Sequence, residues 1–532
     1  MLVPALYPRA GARRIAPRLL VPSLSDSLLL AMLLWGFATG SGWRVLLADG
    51  DTGWHIRTGE LILQTHTVPT RDPFSFSKAG QPWFAWEWLA DTIFAALHGF
   101  WGLKGVVVFT GLVLSLGTAT LFRFAVWRGA NVLAALVATL LASGAATVHY
   151  LARPHIFTLL GLTVTLWMLE RDRRRETRAV WLLVPVTALW TNLHAGFLAG
   201  IACLALATAG QTWNDLRRPR EKRNWRAAGR YGLVTAACTG ATLANPYGWR
   251  LHQHMASYLS SGWIREVVQE FQSPRFRSES MLQFEALLFG GLLLIPVLCK
   301  QQRSAEALTV LFWAHNALVS TRHVPLYAFA AAPICAAEAS RWWAGWSVRL
   351  SRRSIGGTFR DCLADFSGGQ QHWSLWVPMV VSCVVLYPWA GPRDFPDNKF
   401  PVIAVQQNEA VIAAPGSAPR ILTSDQWADY LIYRFYPRCR VFVDGRSDFY
   451  GPEVGRQYLD LLNAAPGWQD RLDAWSFDLA LLPVEWPLGQ LLLRNPDWQV
   501  RYLDAQSVLL ERKRRPSLNQ NPDSTERIHG SI

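Results

Sequence analysis

Apolar runs of about 15–23 residues recur from Leu28 to Trp389, and that length carries a helix across the hydrocarbon core of a bilayer. A soluble core has no use for so many uninterrupted apolar segments, so the chain reads as an α-helical polytopic membrane protein. Composition agrees: only 17% of the 532 residues are charged, and the 27 tryptophans suit the aromatic belts at membrane–water boundaries. The net charge of +14 does not call for a nucleic-acid partner, because the basic residues stand in blocks between apolar runs instead of on one soluble face. The seven cysteines show neither metal-ligand spacing nor a disulfide framework.

The basic blocks set the expected topology. Arg9, Arg13, Arg14 and Arg18 all precede the first acid, Asp26, so the positive-inside rule keeps residues 1–26 cytoplasmic and makes the first apolar run a signal anchor. Residues 48–103 then form a first external loop. Within it Trp83–Phe100 is broken by Glu87, Asp91 and His98, whose burial at membrane depth is costly, and it is expected to lie in the interface without crossing. The remaining spans run from Lys104–Trp127 to Trp376–Trp389, about eleven in all. This choice makes every later basic block cytoplasmic, including Arg171–Arg178, Arg217–Arg230 and Arg341–Arg360.

The membrane domain thus covers residues 27–391 and has a second long external loop at 246–283. Pro392, Pro396 and Pro401 mark a linker, 392–419, before a small extracytoplasmic α/β domain, 420–513. Its expected strands are Arg420–Thr423, Val441–Val443, Leu479–Leu482 and Val500–Leu510; its expected helices are Gln426–Phe435, Glu453–Asn463, Gln469–Trp475 and Leu488–Arg494. The polar tail 514–532 reads as disordered.

Polar motifs gather at one face of this topology. Asp49 and Asp51 follow the first span, and the pair suits either a divalent cation (magnesium or manganese) held by oxygen ligands, or a general base. Gly50 and Gly53 are expected to let the backbone turn sharply there. Arg153 and His155, Asn192 and His194, Asn245, and Arg322 and His323 fall on the same side, as do His55 and Glu87 of the first loop. Together they would line one cavity, although an outer-end arginine also snorkels to headgroups and asparagines also satisfy helix ends. In the second long loop His252 and His254, two residues apart, fit a strand or irregular backbone better than a helical metal pair. Asp444 and Arg446 follow an expected strand, where α/β folds place binding loops. No phosphate-binding P-loop, dinucleotide fingerprint, zinc-protease motif or nucleophile elbow occurs.

The stretch Asp49–Glu60 (DGDTGWHIRTGE), then Val68–Phe76 (VPTRDPFSF) and Trp83–Leu89, resembles the first external loop of bacterial membrane glycosyltransferases of the GT-C superfamily, which includes protein mannosyltransferases and oligosaccharyltransferases. Ala152–Phe157, Thr191–Phe197, Asn245–Gly248, Glu270–Pro274 and Val441–Gly451 extend the resemblance over most of the chain. It implies an inverting transfer of sugar from a polyprenyl-phosphate donor to a glycan, lipid or protein acceptor at the outer face of the bacterial inner membrane. It also implies that Asp49 or Asp51 binds the metal or activates the acceptor, with Asp51 favoured by its flanking glycines. Arg153, Arg322 and His323, backed by His155 and His194, are then the candidates for holding the lipid phosphate. The alternative reading is a non-catalytic transporter or lipid-handling protein of the same architecture.

A reporter fused after Arg353 is expected to be cytoplasmic, and one fused after Asn463 extracytoplasmic. Protease accessibility in spheroplasts checks both, and reversal at either site overturns the span count.

Overall fold

A computed structural model of the chain describes residues 19–38, 41–366, 372–387, 391–414, 416 and 418–513. The N-terminal basic cluster Arg9–Arg18 and the tail 514–532 lie outside the described residues. The fold is a helical bundle carrying a small mixed sheet near its C-terminal end. Helix Val324–Ser347 is the bundle's central member: it packs against Leu103–Trp127, Val132–Ala145, Ile156–Arg174, Glu279–Lys300 and Ser304–Val319. Its sequence explains the position. Ala328, Ala330, Ala331, Ala332, Ala336 and Ala337 are all buried, and small side chains let neighbouring helix backbones approach closely.

Three helices among the described residues are long and apolar enough to cross a membrane: Leu103–Trp127, Val132–His149 and Ser280–Lys300. The eleven-span count is not reproduced by length and composition. Helix Leu183–Leu193 has 11 residues, and Ile156–Arg174 ends in a charged turn. Leu24–Gly36 and Trp376–Leu386 are apolar but shorter than a full span. The interfacial segment forms helix Trp88–Trp101, whose 14 residues reach about 21 Å, short of a bilayer core. The second long loop is helical, Trp249–Ser260 followed by Gly262–Val267, which corrects the reading of His252 and His254 as strand or irregular backbone. Two residues apart on a helix they face different ways: His252 Nε2 meets Thr242 Oγ1 at 2.7 Å, and His254 Nε2 meets Asp448 Oδ2 at 3.2 Å.

The sheet order is β1-β2-β4-β3, with β1 Ile421–Thr423, β2 Leu479–Pro483, β3 Trp498–Leu503 and β4 Ser507–Arg512. β1 and β2 are parallel; the other two pairings are antiparallel. The single expected strand Val500–Leu510 is a hairpin, because the Asp504 carboxylate accepts the backbone N–H groups of Gln506 and Ser507 and turns the chain. Val441–Val443 does not form a full strand: Val441 alone makes a parallel bridge to Ile421 of β1. On its other side it exchanges backbone hydrogen bonds with Phe74 and Phe76, so it fastens the sheet to segment 48–103. The proline-marked linker is also packed, with Phe395 and Phe400 buried against the Tyr430 ring.

Two features lock that segment to the C-terminal domain. Helix Asp51–Thr65 packs on helix Asp425–Phe435, and a β-carbon at Gly50 or Gly53 would collide with the backbone oxygens of Gln426 and Asp429. Gly50 has helical dihedrals (φ −64°, ψ −29°), so these glycines serve close approach instead of the sharp turn expected. The second feature is the buried Arg446 guanidinium, 2.6 Å from Asp444 Oδ2 and 2.7 Å from Asp72 Oδ1. Trp83, Phe74 and Phe449 surround it with ring centroids 4.6–5.1 Å away.

Removing Arg446 would strand two buried carboxylates, so Arg446→Leu is expected to lower stability by about 3–5 kcal/mol. Thermal unfolding in detergent, with proteolysis of the loosened C-terminal domain as a second readout, measures this.

Candidate functional site

A cavity of about 510 Å³ opens where the start of helix Asp51–Thr65, the turn before helix Ile156–Arg174, segment 258–270 and the C-terminal loop 443–448 meet. That volume suits a small-molecule or headgroup ligand. Asp49, Asp51, Glu87, Arg153, His155, His194, Arg322, Asp444 and Arg446 all line it, so most residues singled out from the sequence do come together.

Arg153 is the hub. Its Nη1 donates to Asp49 Oδ2 at 3.0 Å and to Glu270 Oε1 at 3.3 Å, and its Nη2 stands 2.7 Å from Asp51 Oδ2. The turn that presents it is pinned beside the aspartates by two bonds: Ala152 N–H donates to Leu46 O at 2.7 Å, and Thr52 Oγ1 donates to Ala152 O at 2.9 Å. Arg322 approaches from the other side, 3.8 Å from Glu270 Oε2, and donates to the Tyr258 hydroxyl at 3.0 Å.

Burial sets the electrostatics. It raises Asp51 to about 7 against the pull of Arg153, and Asp49 beside it adds to the rise. Asp429, fully buried on the facing helix, is also raised by burial and by the Asp51 charge. Burial works against ionisation of Glu270 too, but Arg153 and Arg322 overcome it and hold that carboxyl at about 2. The pocket therefore pairs a permanently ionised carboxylate with one that titrates near neutrality.

The expected divalent-cation site does not fit these residues as they stand. Asp49, Asp51 and Glu270 converge on a guanidinium, and among the described residues no group of three or more His, Cys, Asp or Glu side chains could hold a metal ion. Asp51 Oδ1 and Asp429 Oδ2, at the Gly445 backbone, are buried oxygens without hydrogen-bond partners. Two such oxygens, with the neighbouring carboxylates drawn to Arg153, do not make a preformed magnesium or manganese cage.

Four candidates sit elsewhere. Asn192 donates to the carbonyls of Ala188 and Ala244 and accepts from Trp88 Nε1, holding helix ends together. Asn245 bonds its own turn through Tyr247 N–H and Thr242 O. The His323 ring packs 6.0 Å from the Trp313 ring, and burial with the adjacent Arg322 charge lowers it to about 4. His55 is buried behind the cavity wall, 3.6 Å from Glu87. Asp444 and Arg446 line the cavity but are paired with each other. Residues the sequence did not single out as site groups include Glu270, Tyr258, Asp91 and Asp429. Asp429 had one visible signal, a carboxylate on the apolar face of an amphipathic helix.

No protein-family model matches the chain, and no curated protein matches its sequence. Solved structures do match. The oligosaccharyltransferase AglB of the archaeon Archaeoglobus fulgidus, in complex with an inhibitory peptide and a dolichol-phosphate, aligns with a TM-score of 0.51 at 10% identity. That alignment covers 87% of this chain and 69% of that one. The apo Archaeoglobus fulgidus oligosaccharyltransferase aligns with a TM-score of 0.53 at 11% identity, covering 87% and 70%. The chain shares the fold of these oligosaccharyltransferases. At such identities the likeness shows the fold alone, and the chemistry of the cavity rests on its own residues.

Because the folded-state value of Asp51 lies above its ordinary 3.8, its contribution to stability is complete below about pH 4 and is lost as pH rises through about 7. Asp51→Asn is expected to shrink the fall in thermal midpoint between about pH 5 and about pH 8, measured by differential scanning fluorimetry.

Proposed function

We propose that the protein is a membrane glycosyltransferase that moves a sugar from a polyprenyl-phosphate donor to an acceptor, by a single displacement that inverts the anomeric carbon. The observation that carries this reading is the convergence of Asp49, Asp51 and Glu270 on Arg153 in a cavity of an oligosaccharyltransferase-like fold. The dolichol-phosphate of the archaeal neighbour supports a lipid-linked donor, and its inhibitory peptide supports a bound acceptor. The acceptor here is a glycan, lipid or protein, and the site faces the outside of a bacterial plasma membrane, with the cytoplasmic end at the opposite arginine-rich pole.

Each residue has a role in this reading. Arg153 and Arg322 present forked donors that suit a phosphate and attract it to the cavity. Asp51, raised to about 7, takes the proton of the acceptor hydroxyl as its oxygen attacks the anomeric carbon. A group that titrates near the working pH is best matched to that task. Asp49 and Glu270 hold the Arg153 fork in place.

Transfer from radiolabelled decaprenyl-phosphate sugars tests the assignment. Asp51→Asn is expected to lower turnover by roughly 10²-fold or more. Arg153→Lys keeps the charge but loses the fork, and is expected to raise the donor KM while also reducing turnover. Full transfer by both Asp49→Asn and Asp51→Asn refutes the mechanism, whereas no transfer by the wild type favours a non-catalytic lipid-handling role.

A further inference from the structure

Behind the Arg153 cluster the cavity wall holds a row of ionisable groups that the roles above leave unused. Asp91 is fully buried, and its Oδ1 stands 2.6 Å from His55 Nδ1. The other ring nitrogen of His55, Nε2, faces Glu87 Oε2 at 3.6 Å. Glu87 Oε1 in turn faces His194 Nε2 at 3.4 Å. Glu87 is the member nearest open space, its side chain 11% exposed against 0% for Asp91 and 1% for His55.

Hydrogen bonding fixes where the protons are. Gly196 N–H donates to His194 Nδ1 at 2.9 Å, so Nδ1 is an acceptor and the His194 proton sits on Nε2, toward Glu87. Asp91 Oδ2 is buried without a hydrogen-bond partner, which an ionised carboxylate tolerates poorly. As a carboxylic acid, Asp91 donates from Oδ1 to His55 Nδ1, and the His55 proton then lies on Nε2, again toward Glu87. Burial keeps Asp91 well above and His55 well below their ordinary values, in accord with both being neutral.

Charge balance points the same way. If every carboxyl facing the cavity were ionised, a phosphate would be repelled. With Glu87 and Asp91 protonated, two fewer negative charges face Arg153 and Arg322, and an anion enters against less repulsion. The charged groups acting on Glu87 are Arg153 and Arg322, which favour its ionisation, and Asp51, Asp448 and Asp91, which oppose it. Burial is larger than all of them and raises Glu87 to about 8.

We propose that Glu87 is the acid of the transfer, giving its proton to the phosphate oxygen that leaves the sugar, and that His55 and Asp91 form the relay that restores it. This rests on the transferase reading. The bond between the anomeric carbon and the phosphate oxygen breaks, its electron pair stays on that oxygen, and the oxygen takes the Glu87 proton. The acceptor oxygen forms the new bond to carbon and yields its proton to Asp51. The His55 Nε2 proton then passes to Glu87 while the Asp91 proton passes to His55 Nδ1. One proton from solvent, matched by the one Asp51 releases, enters through Glu87 to His55 Nε2 as the Nδ1 proton returns to Asp91, which restores every group to its starting form.

Full-length protein in lipid nanodiscs tests the row through the infrared carbonyl stretch of protonated carboxylic acids. Wild type is expected to show one band that fades near pH 8 and is absent in Glu87→Gln, and another that is absent in Asp91→Asn. If Glu87→Gln removes no such band at pH 7, the proposal is wrong. Transfer assays test the role, using decaprenyl-phosphate hexoses and matched donors whose leaving phosphate is a more acidic nitrophenyl ester. Glu87→Gln is expected to lose roughly 10²-fold or more with decaprenyl donors and much less with nitrophenyl donors. Asp91→Asn is expected to lose less and to move the alkaline limb of the pH–rate profile. Equal losses by Glu87→Gln with both donors overturn the acid role. Wild type inert toward every donor overturns the transferase reading and the acid role with it; intact infrared bands then distinguish that result from a failed relay.

Discussion

A single guanidinium organises the functional end of this molecule. Arg153 is 20% exposed at its side chain and meets three carboxylates from two separate segments: Asp49 and Asp51 after the first helices, and Glu270 from the long segment between helices Trp249–Ser260 and Glu279–Lys300. Withdrawing so many charges from water is costly, and the arrangement holds only because each charge has an opposite partner at hydrogen-bonding distance. The same mutual dependence separates the carboxyls chemically. Glu270, gripped by two arginines, stays ionised, whereas Asp51 and Glu87, more deeply buried, titrate near neutrality. An acid–base pair of groups thus arises from burial and pairing instead of from unusual residue types.

The C-terminal domain is part of this construction. Its helix Asp425–Phe435 closes over helix Asp51–Thr65 at two glycines, and its loop 443–448 supplies cavity wall. The buried Arg446 holds that loop to Asp72 of segment 48–103. At the opposite pole a second ionic cluster ties helix ends together: Arg128 pairs with Glu306 and Glu170, and Arg303 pairs with Glu306 and Glu338. The two clusters lie toward opposite ends of helix Leu103–Trp127, whose 25 residues reach about 37 Å. That spacing fits two polar ends separated by a bilayer, with different work at each.

Local chemistry made some of this legible in advance. Periodicity placed most helices to within a few residues, as at Leu103–Trp127 and Asp425–Phe435. The clustering of Asp49, Asp51, Arg153, His194 and Arg322 around one cavity followed from topology bookkeeping. Reading failed where a tertiary partner changed the meaning of a residue. Gly50 and Gly53 looked like turn formers because a glycine's freedom is a local property, while the helix that closes on them comes from more than 370 residues later. Val441–Val443 had strand composition, but only Val441 bridges β1, and its other edge bonds to Phe74 and Phe76. His252 and His254 looked irregular because a period of two is also what successive faces of a helix present.

By itself the sequence determined that the chain is a helical membrane protein with a small terminal α/β unit, because apolar run length and basic blocks are read directly against the thickness and charge rules of a bilayer. It also determined which polar side chains were available at one end. Only the tertiary structure decided which of them meet: that Arg153 stands among Asp49, Asp51 and Glu270, and that Asp91, His55, Glu87 and His194 stand in a row. Pairing and burial depend on segments far apart in the chain, and they decide whether a carboxyl is a charge, a base or an acid.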